Sequence, residues 1–358
     1  MRGTRLDAYL DEQGLEAVWF ARPASFAWLT GGDNVVTHEE SVGVAAAGYT
    51  REGVEVVTDS IEAARLRDEE LAPETAVTEF PWYETTLAEA VRARSPTPAA
   101  ADFEVVGMER IDASALRQPL SERDIDLYRS LGRDAAAAVE DVCREITPDT
   151  TERGVAASLR GALASYGIDS PVVLVGGSYR APRYRHYTPT EVEIGDYALV
   201  SVTTERDGLF ASLTRTVAFD PPEWLAARHR AAVEVETSAL AATRRVGREG
   251  GTAGEVFASV QEAYADVGWP DEWRRHHQGG AAGFSGREWI ATPDGEEAVE
   301  LPMAYAWNPT VRGAKSEDTV LVTEGGFEAL TETGEWPTET VGADGRTLER
   351  PGVYQSSA

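Results

Sequence analysis

Apolar and polar positions change period several times along this 358-residue chain. Arg5-Leu6-Asp7-Ala8-Tyr9-Leu10 reads as a helical segment, Gly14 as its stop, and Glu16-Ala17-Val18-Trp19-Phe20 as a strand. Strand patterns follow at 42–48 and 53–57 and a helix at 60–67, which predicts an α/β domain over residues 1–118. Residues 113–124 form a hinge, with Pro119 ahead of a helix start at Ser121-Glu122-Arg123-Asp124. A long helix then covers 121–146, with Ile125, Leu127, Tyr128, Leu131 and the Ala135–Ala138 run on its apolar face. Thr150-Thr151-Glu152 opens another helix that Gly167 stops, and 221–245 and 252–267 read as helices again. This second domain spans 119–334. The tail, 335–358, is rich in Gly, Thr and Glu and reads as a loosely held extension.

Between the helices lie two apolar, β-branched runs, Tyr197–Thr203 and Leu209–Thr216, on either side of Asp207-Gly208. The pattern predicts a β-hairpin. A two-residue turn there pairs Ser201 with Thr214 and Ser212 with Thr203. Ser201 and Ser212 become diagonal neighbours on one face, roughly 7–8 Å apart, able to converge on one small ion or ligand.

The segment resembles the metal-binding hairpin of the pita-bread superfamily, which includes methionine aminopeptidase, aminopeptidase P, prolidase and creatinase. The superfamily pattern is a strand after Gly-Asp, an Asp, ten residues, a second Asp and a Thr-Arg-Thr-like end. This chain keeps Gly195-Asp196 and Thr214-Arg215-Thr216 but has serine at both Asp positions. Two divalent cations need hard anionic oxygens, and a neutral hydroxyl is a poor substitute.

Composition adds an extreme charge. There are 61 acidic against 33 basic side chains, a formal net charge of −28, and Lys315 is the only lysine. We read this as a halophilic protein whose surface carboxylates keep it hydrated in concentrated salt. Such acidity disfavours nucleic acid and anionic membranes as partners. The 42% apolar fraction supports a sizeable core, no apolar run is long enough to span a membrane, and the first residues lack a signal-peptide core. These features point to a cytoplasmic protein. The sole cysteine, Cys143, sits in an Ala-rich helical pattern and reads as a buried structural thiol.

Three histidine and glutamate contexts match the same superfamily. His186, in Tyr184-Arg185-His186-Tyr187-Thr188-Pro189-Thr190, precedes the Gly-Asp strand. The superfamily has a substrate-contacting or acid–base histidine there, a role suited to a side chain that titrates near neutrality. His276-His277-Gln278-Gly279-Gly280 resembles the Gly-His-Gly-x-Gly strand whose histidine is a metal ligand. Adjacent residues on a strand point to opposite faces. His277 fits best, with Gly280 three residues on, and His276 with Gly279 stays open. The superfamily's second histidine is missing, its place falling on Gly283 or Phe284. Gly286-Arg287-Glu288 resembles a Gly-Arg-Glu segment of creatinase, where Arg287 would bind a carboxylate or pair with a surface acid. Ala306-Trp307-Asn308-Pro309 and Lys315-Ser316-Glu317-Asp318-Thr319-Val320-Leu321-Val322-Thr323 match the last two ligand strands, with Asn308 replacing one metal glutamate and Glu317 retaining the other.

The resemblance covers residues 5–332. It implies an α/β (α+β) protein with an N-terminal creatinase-like domain followed by a pita-bread domain, and a homodimer. Three of five ligand positions (Ser201, Ser212, Asn308) are changed. We therefore expect a degenerate metal site, no cofactor, and metal-independent hydrolysis of a C–N bond in a small-molecule or dipeptide-like substrate. His186, Glu317 and Glu288 are the catalytic candidates. His277, Ser201, Ser212, Asn308 and Arg287 are the substrate-binding candidates. A Mn- or Co-dependent Xaa-Pro-type peptidase and a non-catalytic binding protein of the same fold are the alternatives.

Overall fold

Val56 and Val57 are adjacent on one strand and both are buried, on opposite faces of the same sheet. In the computed structural model, which describes residues 2–343 and 345–356, that sheet belongs to the first of two units, divided between Gln118 and Pro119. The unit runs α1 (Arg2–Gln13), β1 (Ala17–Phe20), α2 (Pro23–Thr30), β2 (Ala45–Thr50), β3 (Gly53–Asp59), α3 (Ala63–Arg65), β4 (Ala76–Phe80), α4 (Leu87–Arg94), β5 (Ala99–Ala101) and β6 (Glu109–Arg110). Its strand order is β4-β3-β2-β1-β5-β6. Trp19, Ala46, Val57 and Val91 fill one face; Phe26, Ala45, Ala47, Val56 and Leu66 fill the other. Such two-sided burial explains the continuous apolar runs in β1 and β2.

The second unit opens with α5 (Glu122–Glu145) and α6 (Glu152–Ser165). Ser121 and Asp124 form the reciprocal cap that fixes the start of α5. Next come β7 (Asp169–Gly177), β8 (Tyr197–Arg206), β9 (Leu209–Ala218), α7 (Leu225–Glu249) and α8 (Ala253–Asp266). They are followed by β10 (Gly279–Ala282), β11 (Met303–Trp307), β12 (Thr310–Val311), β13 (Ala314–Lys315), β14 (Asp318–Val322) and β15 (Phe327–Ala329). The chain closes with β16 (Thr338–Ala343), β17 (Arg346–Pro351) and β18 (Val353–Gln355). Two four-stranded sheets carry the architecture, β18-β9-β8-β7 and β10-β11-β14-β15. They are stitched where β9 meets the start of β14. Ser212 N donates to Thr319 Oγ1 at 2.8 Å, and Thr214 N donates to the Glu317 carbonyl at 2.9 Å.

The hairpin forms as its sequence predicts. Asp207 (φ 55°) and Gly208 (φ 75°) both occupy the left-handed region, which a two-residue turn matching strand twist requires. Ser201 lies opposite Thr214, and Thr203 opposite Ser212.

The segment after 334 departs from the expectation of a loose extension. β16 and β17 pair with each other, and β18 adds in parallel to β9. Arg350 is 2% exposed and bonds Glu236 of α7 at 2.6 Å and Asp318 of β14 at 2.9 Å. The carboxylates that recruit it lie 114 and 32 residues away, so local composition carried no sign of them.

Candidate functional site

A cavity of about 630 Å³ opens in the second unit against β8. Its walls include His186, Ser201, His276, His277, Arg287, Asn308, Lys315 and Glu317. Seven of these were singled out from the sequence as site residues, or, for His276, as the alternative register. Glu288 does not line the cavity. It is buried, and its Oε1 accepts a hydrogen bond from Phe284 N at 2.9 Å, bracing the loop that presents Arg287. Ser212 is buried behind Arg287 and is reached through it.

Glu317 stands at the centre. Its Oε2 is 2.7 Å from Lys315 Nζ and accepts from Thr214 Oγ1 at 2.8 Å. Its Oε1 is 3.0 Å from Arg287 Nη2. Lys315 also donates to Ser201 Oγ at 3.4 Å, and Arg287 Nη1 donates to Ser212 Oγ at 3.1 Å. Tyr187 and Thr214 complete the hydroxyl chain around Ser201, at 3.1 and 2.8 Å. Burial alone would push the Glu317 carboxyl up. Lys315 and then Arg287, with the hydrogen bonds from Lys315 and Thr214, outweigh it and hold the group at about 2. Glu317 is therefore a counter-ion to two internal cations.

Lys315 is the residue that sequence reasoning missed as part of the site. The signal was present. It is the one lysine among 33 basic side chains, and in extended chain a residue two before Glu317 shares its face.

The three histidines meet at the cavity wall. His276 Nε2 and His186 Nε2 are 3.0 Å apart, and the His276 and His277 rings stack with centroids at 4.3 Å. The expected opposite-facing arrangement does not occur, because both residues precede β10 and are not yet on a strand. Gln278 fixes them: its Nε2 donates to the His276 carbonyl at 2.6 Å, and its Oε1 accepts from Tyr264 of α8 at 2.8 Å. Gly279 (φ 97°) and Gly280 let the following strand run close to its neighbours. A Cβ on Gly280 would lie 2.2 Å from the Trp289 carbonyl oxygen. Arg185 pairs with Glu272, tying the His186 loop to the segment before His276. Desolvation, then Lys315 and the neighbouring imidazoles, lower His276 to about 3. Desolvation, then Arg287 and Lys315, lower His277 to about 4. Both rings are neutral at pH 7.

Two family models account for nearly the whole chain. Metallopeptidase family M24 matches residues 126–324, and the creatinase/prolidase N-terminal domain matches residues 2–126. The chain belongs to the M24 family. This M24 chain is 25% identical to an Xaa-Pro dipeptidase of Pyrococcus furiosus over 61% of its own length and 64% of the relative's. It is 29% identical to a probable dipeptidase PepE of Mycobacterium tuberculosis over 59% of its length and 58% of the relative's. The matches thus span under two thirds of these curated relatives. Among solved structures, the prolidase from Pyrococcus horikoshii OT3 superposes with a TM-score of 0.76 at 19% identity, covering 93% of this chain and 98% of that one. That likeness establishes the creatinase-type and pita-bread folds.

Membership raises the question of a metal pair, and the donor set of this M24 chain does not fit one. The five positions that the motif resemblance assigns as ligands hold two serines, an asparagine, a histidine and one carboxylate. That carboxylate already has both oxygens bonded by cationic side chains. Two unit charges 4 Å apart interact by about 4 kcal/mol at an effective dielectric near 20. A divalent ion entering at that separation from Lys315 or Arg287 would meet roughly twice that repulsion. Asn308 Oδ1 is buried without a protein partner, and one neutral amide oxygen does not offset it.

Proposed function

We propose that this M24 protein hydrolyses a C–N bond in a small, dipeptide-like molecule by imidazole acid–base chemistry, with side-chain cations in place of a metal pair. The observation that carries the reading is the clamp of Lys315 and Arg287 on Glu317, set among Ser201, Ser212 and Asn308. The substrate class follows the Xaa-Pro dipeptidases among the relatives.

In this reading His186 moves the proton. It is exposed to the cavity, and its Nε2 faces that of His276 at 3.0 Å, so one ring donates and the other accepts. His186 takes a proton from attacking water and delivers it to the leaving nitrogen. An ammonium carries three N–H donors. Glu317 and Ser201 take two of those on Lys315, and the third stabilises negative charge developing on the substrate oxygen. Asn308 Oδ1 accepts from a substrate N–H.

The test is hydrolysis of a panel of Xaa-Pro dipeptides, N-acyl amino acids and guanidino compounds by protein dialysed against EDTA. The expected result is turnover that Mn or Co does not raise, reduced at least 100-fold in His186→Gln and Lys315→Met. Turnover that disappears on chelation and returns with Mn or Co would instead establish the metal-dependent Xaa-Pro peptidase.

A further inference from the structure

We infer that His186, His276 and His277 form a three-imidazole site for one zinc-class cation, sharing no more than one histidine with the ligand positions that the family resemblance assigns, and that filling it switches the pocket off. One ring nitrogen from each histidine lies within 4.8 Å of the other two. Zinc–imidazole bonds of 2.0–2.1 Å at a tetrahedral angle place two ligand nitrogens roughly 3.3 Å apart. The Nε2 atoms of His186 and His276 are already at 3.0 Å, within a few tenths of an ångström of the spacing of a chelating pair, which the rings reach by turning both lone pairs toward one ion. His277 is exposed and stacked on His276, free to close the third position by rotating its side chain. The fourth position faces the cavity and is left for water or an anion.

The second nitrogen of His276 is unsatisfied. His276 Nδ1 is buried with no hydrogen-bond partner. The ring is held by its contact with His186 and its stack on His277, and no hydrogen bond at Nδ1 fixes its tautomer. Glu317 takes no part in the cluster.

The nature of the cation follows from the surrounding charge. Arg287 and Lys315 line the same cavity, with Glu317 as the only carboxylate on its wall among the described residues. Hard ions such as Mg²⁺, Ca²⁺ and Mn²⁺ rely on anionic oxygen and are disfavoured. Zn²⁺ and its spectroscopic substitute Co²⁺ bond well to neutral imidazole. Lys315 and Arg287 act on these imidazoles too and weaken the affinity for any divalent ion, and they favour an anion, such as hydroxide or chloride, as the fourth ligand.

Occupancy has a chemical consequence that rests on the function proposed above. Coordination uses the ring lone pairs of His186 and His276, so neither can pass a proton. A zinc-class ion would thus inhibit a hydrolase that works without metal.

The experiment has two arms. In the first, untagged, metal-stripped protein is titrated with Co²⁺ in molar NaCl, which suppresses loose binding to the surface carboxylates. The expected result is one equivalent bound per chain with an intense tetrahedral visible spectrum, displaced by Zn²⁺. The affinity should fall at least tenfold in each of His186→Ala, His276→Ala and His277→Ala. These residues sit in loops, and circular dichroism verifies the fold of each variant. Weak octahedral spectra only, or an affinity unchanged when all three histidines are replaced, overturn the site. In the second arm, one equivalent of Zn²⁺ should abolish turnover of any substrate found, with recovery on adding EDTA. Activation by Zn²⁺ overturns the switch. If no substrate in the panel is cleaved, the proposed activity fails while the binding arm still decides the site.

Discussion

Lys315 Nζ lies 2.7 Å from Glu317 Oε2, and both groups are more than nine-tenths buried. Removing one partner of such a pair costs about 3–5 kcal/mol, because the other charge stays behind in low dielectric. Arg287 still neutralises part of Glu317, so Lys315→Met should lose about 3 kcal/mol. Lys315→Met combined with Glu317→Gln should lose less than the two single changes added together. Urea denaturation of the four proteins measures the coupling, and simple additivity would show that the pair does not act as a unit.

Acid sensitivity should follow from the same cluster. Unfolded histidines bind protons below about 6.5, whereas His276 and His277 stay neutral in the folded protein down to about 3 and about 4. Between these limits the unfolded state holds more protons, so stability falls as pH falls. Glu317, at about 2 when folded, adds a loss in the same direction from about pH 4.3 downward. The double variant His276→Gln/His277→Gln should therefore show a shallower decline in unfolding free energy between pH 6.5 and 4.5. Equal slopes in variant and parent would refute the assignment.

Gly280 has no room for a side chain. A methyl group there would meet the Trp289 carbonyl at 2.2 Å and its ring at 2.8 Å. Gly280→Ala should cost about 1–3 kcal/mol, the usual range for overpacking. It should also displace the segment that carries His276 and His277. A melting temperature within a degree of the parent would contradict the close approach.

Arg350 tests whether the last hairpin belongs to the core. It bonds Glu236 and Asp318, and Asp318 is shared with Arg215. Arg350→Met leaves two buried carboxylates short of a cation and should cost about 3 kcal/mol. Arg350→Lys should recover only part of that loss, since one ammonium does not reproduce a planar fork. Thermal unfolding of both variants separates the two effects.

The hairpin was legible because turn chemistry and a period of two specify register together, and Ser201 opposite Thr214 followed from Asp207-Gly208 alone. His186, His277, Asn308 and Glu317 were legible as motif positions, and the fold gathers them at one cavity. What Glu317 does there was not legible. Its charge is set by Arg287, thirty residues earlier, and by Lys315, whose significance lay in its rarity rather than in any motif. Glu288 looked chemical because of its neighbours and proved to brace a loop. The tail looked loose because the acids that hold Arg350 lie on α7 and β14.

The cavity presents two cationic heads and one carboxylate in a molecule that carries 28 more negative than positive charges. An anionic guest would be repelled at long range and attracted only on arrival. Salt acts on these two forces unequally. The screening length shrinks from about 8 Å at physiological ionic strength to about 3 Å at 1 M, which erases the distant barrier while leaving contacts inside the pocket largely intact. Brine would then speed the capture of an acid, the reverse of the usual rule for charged ligands.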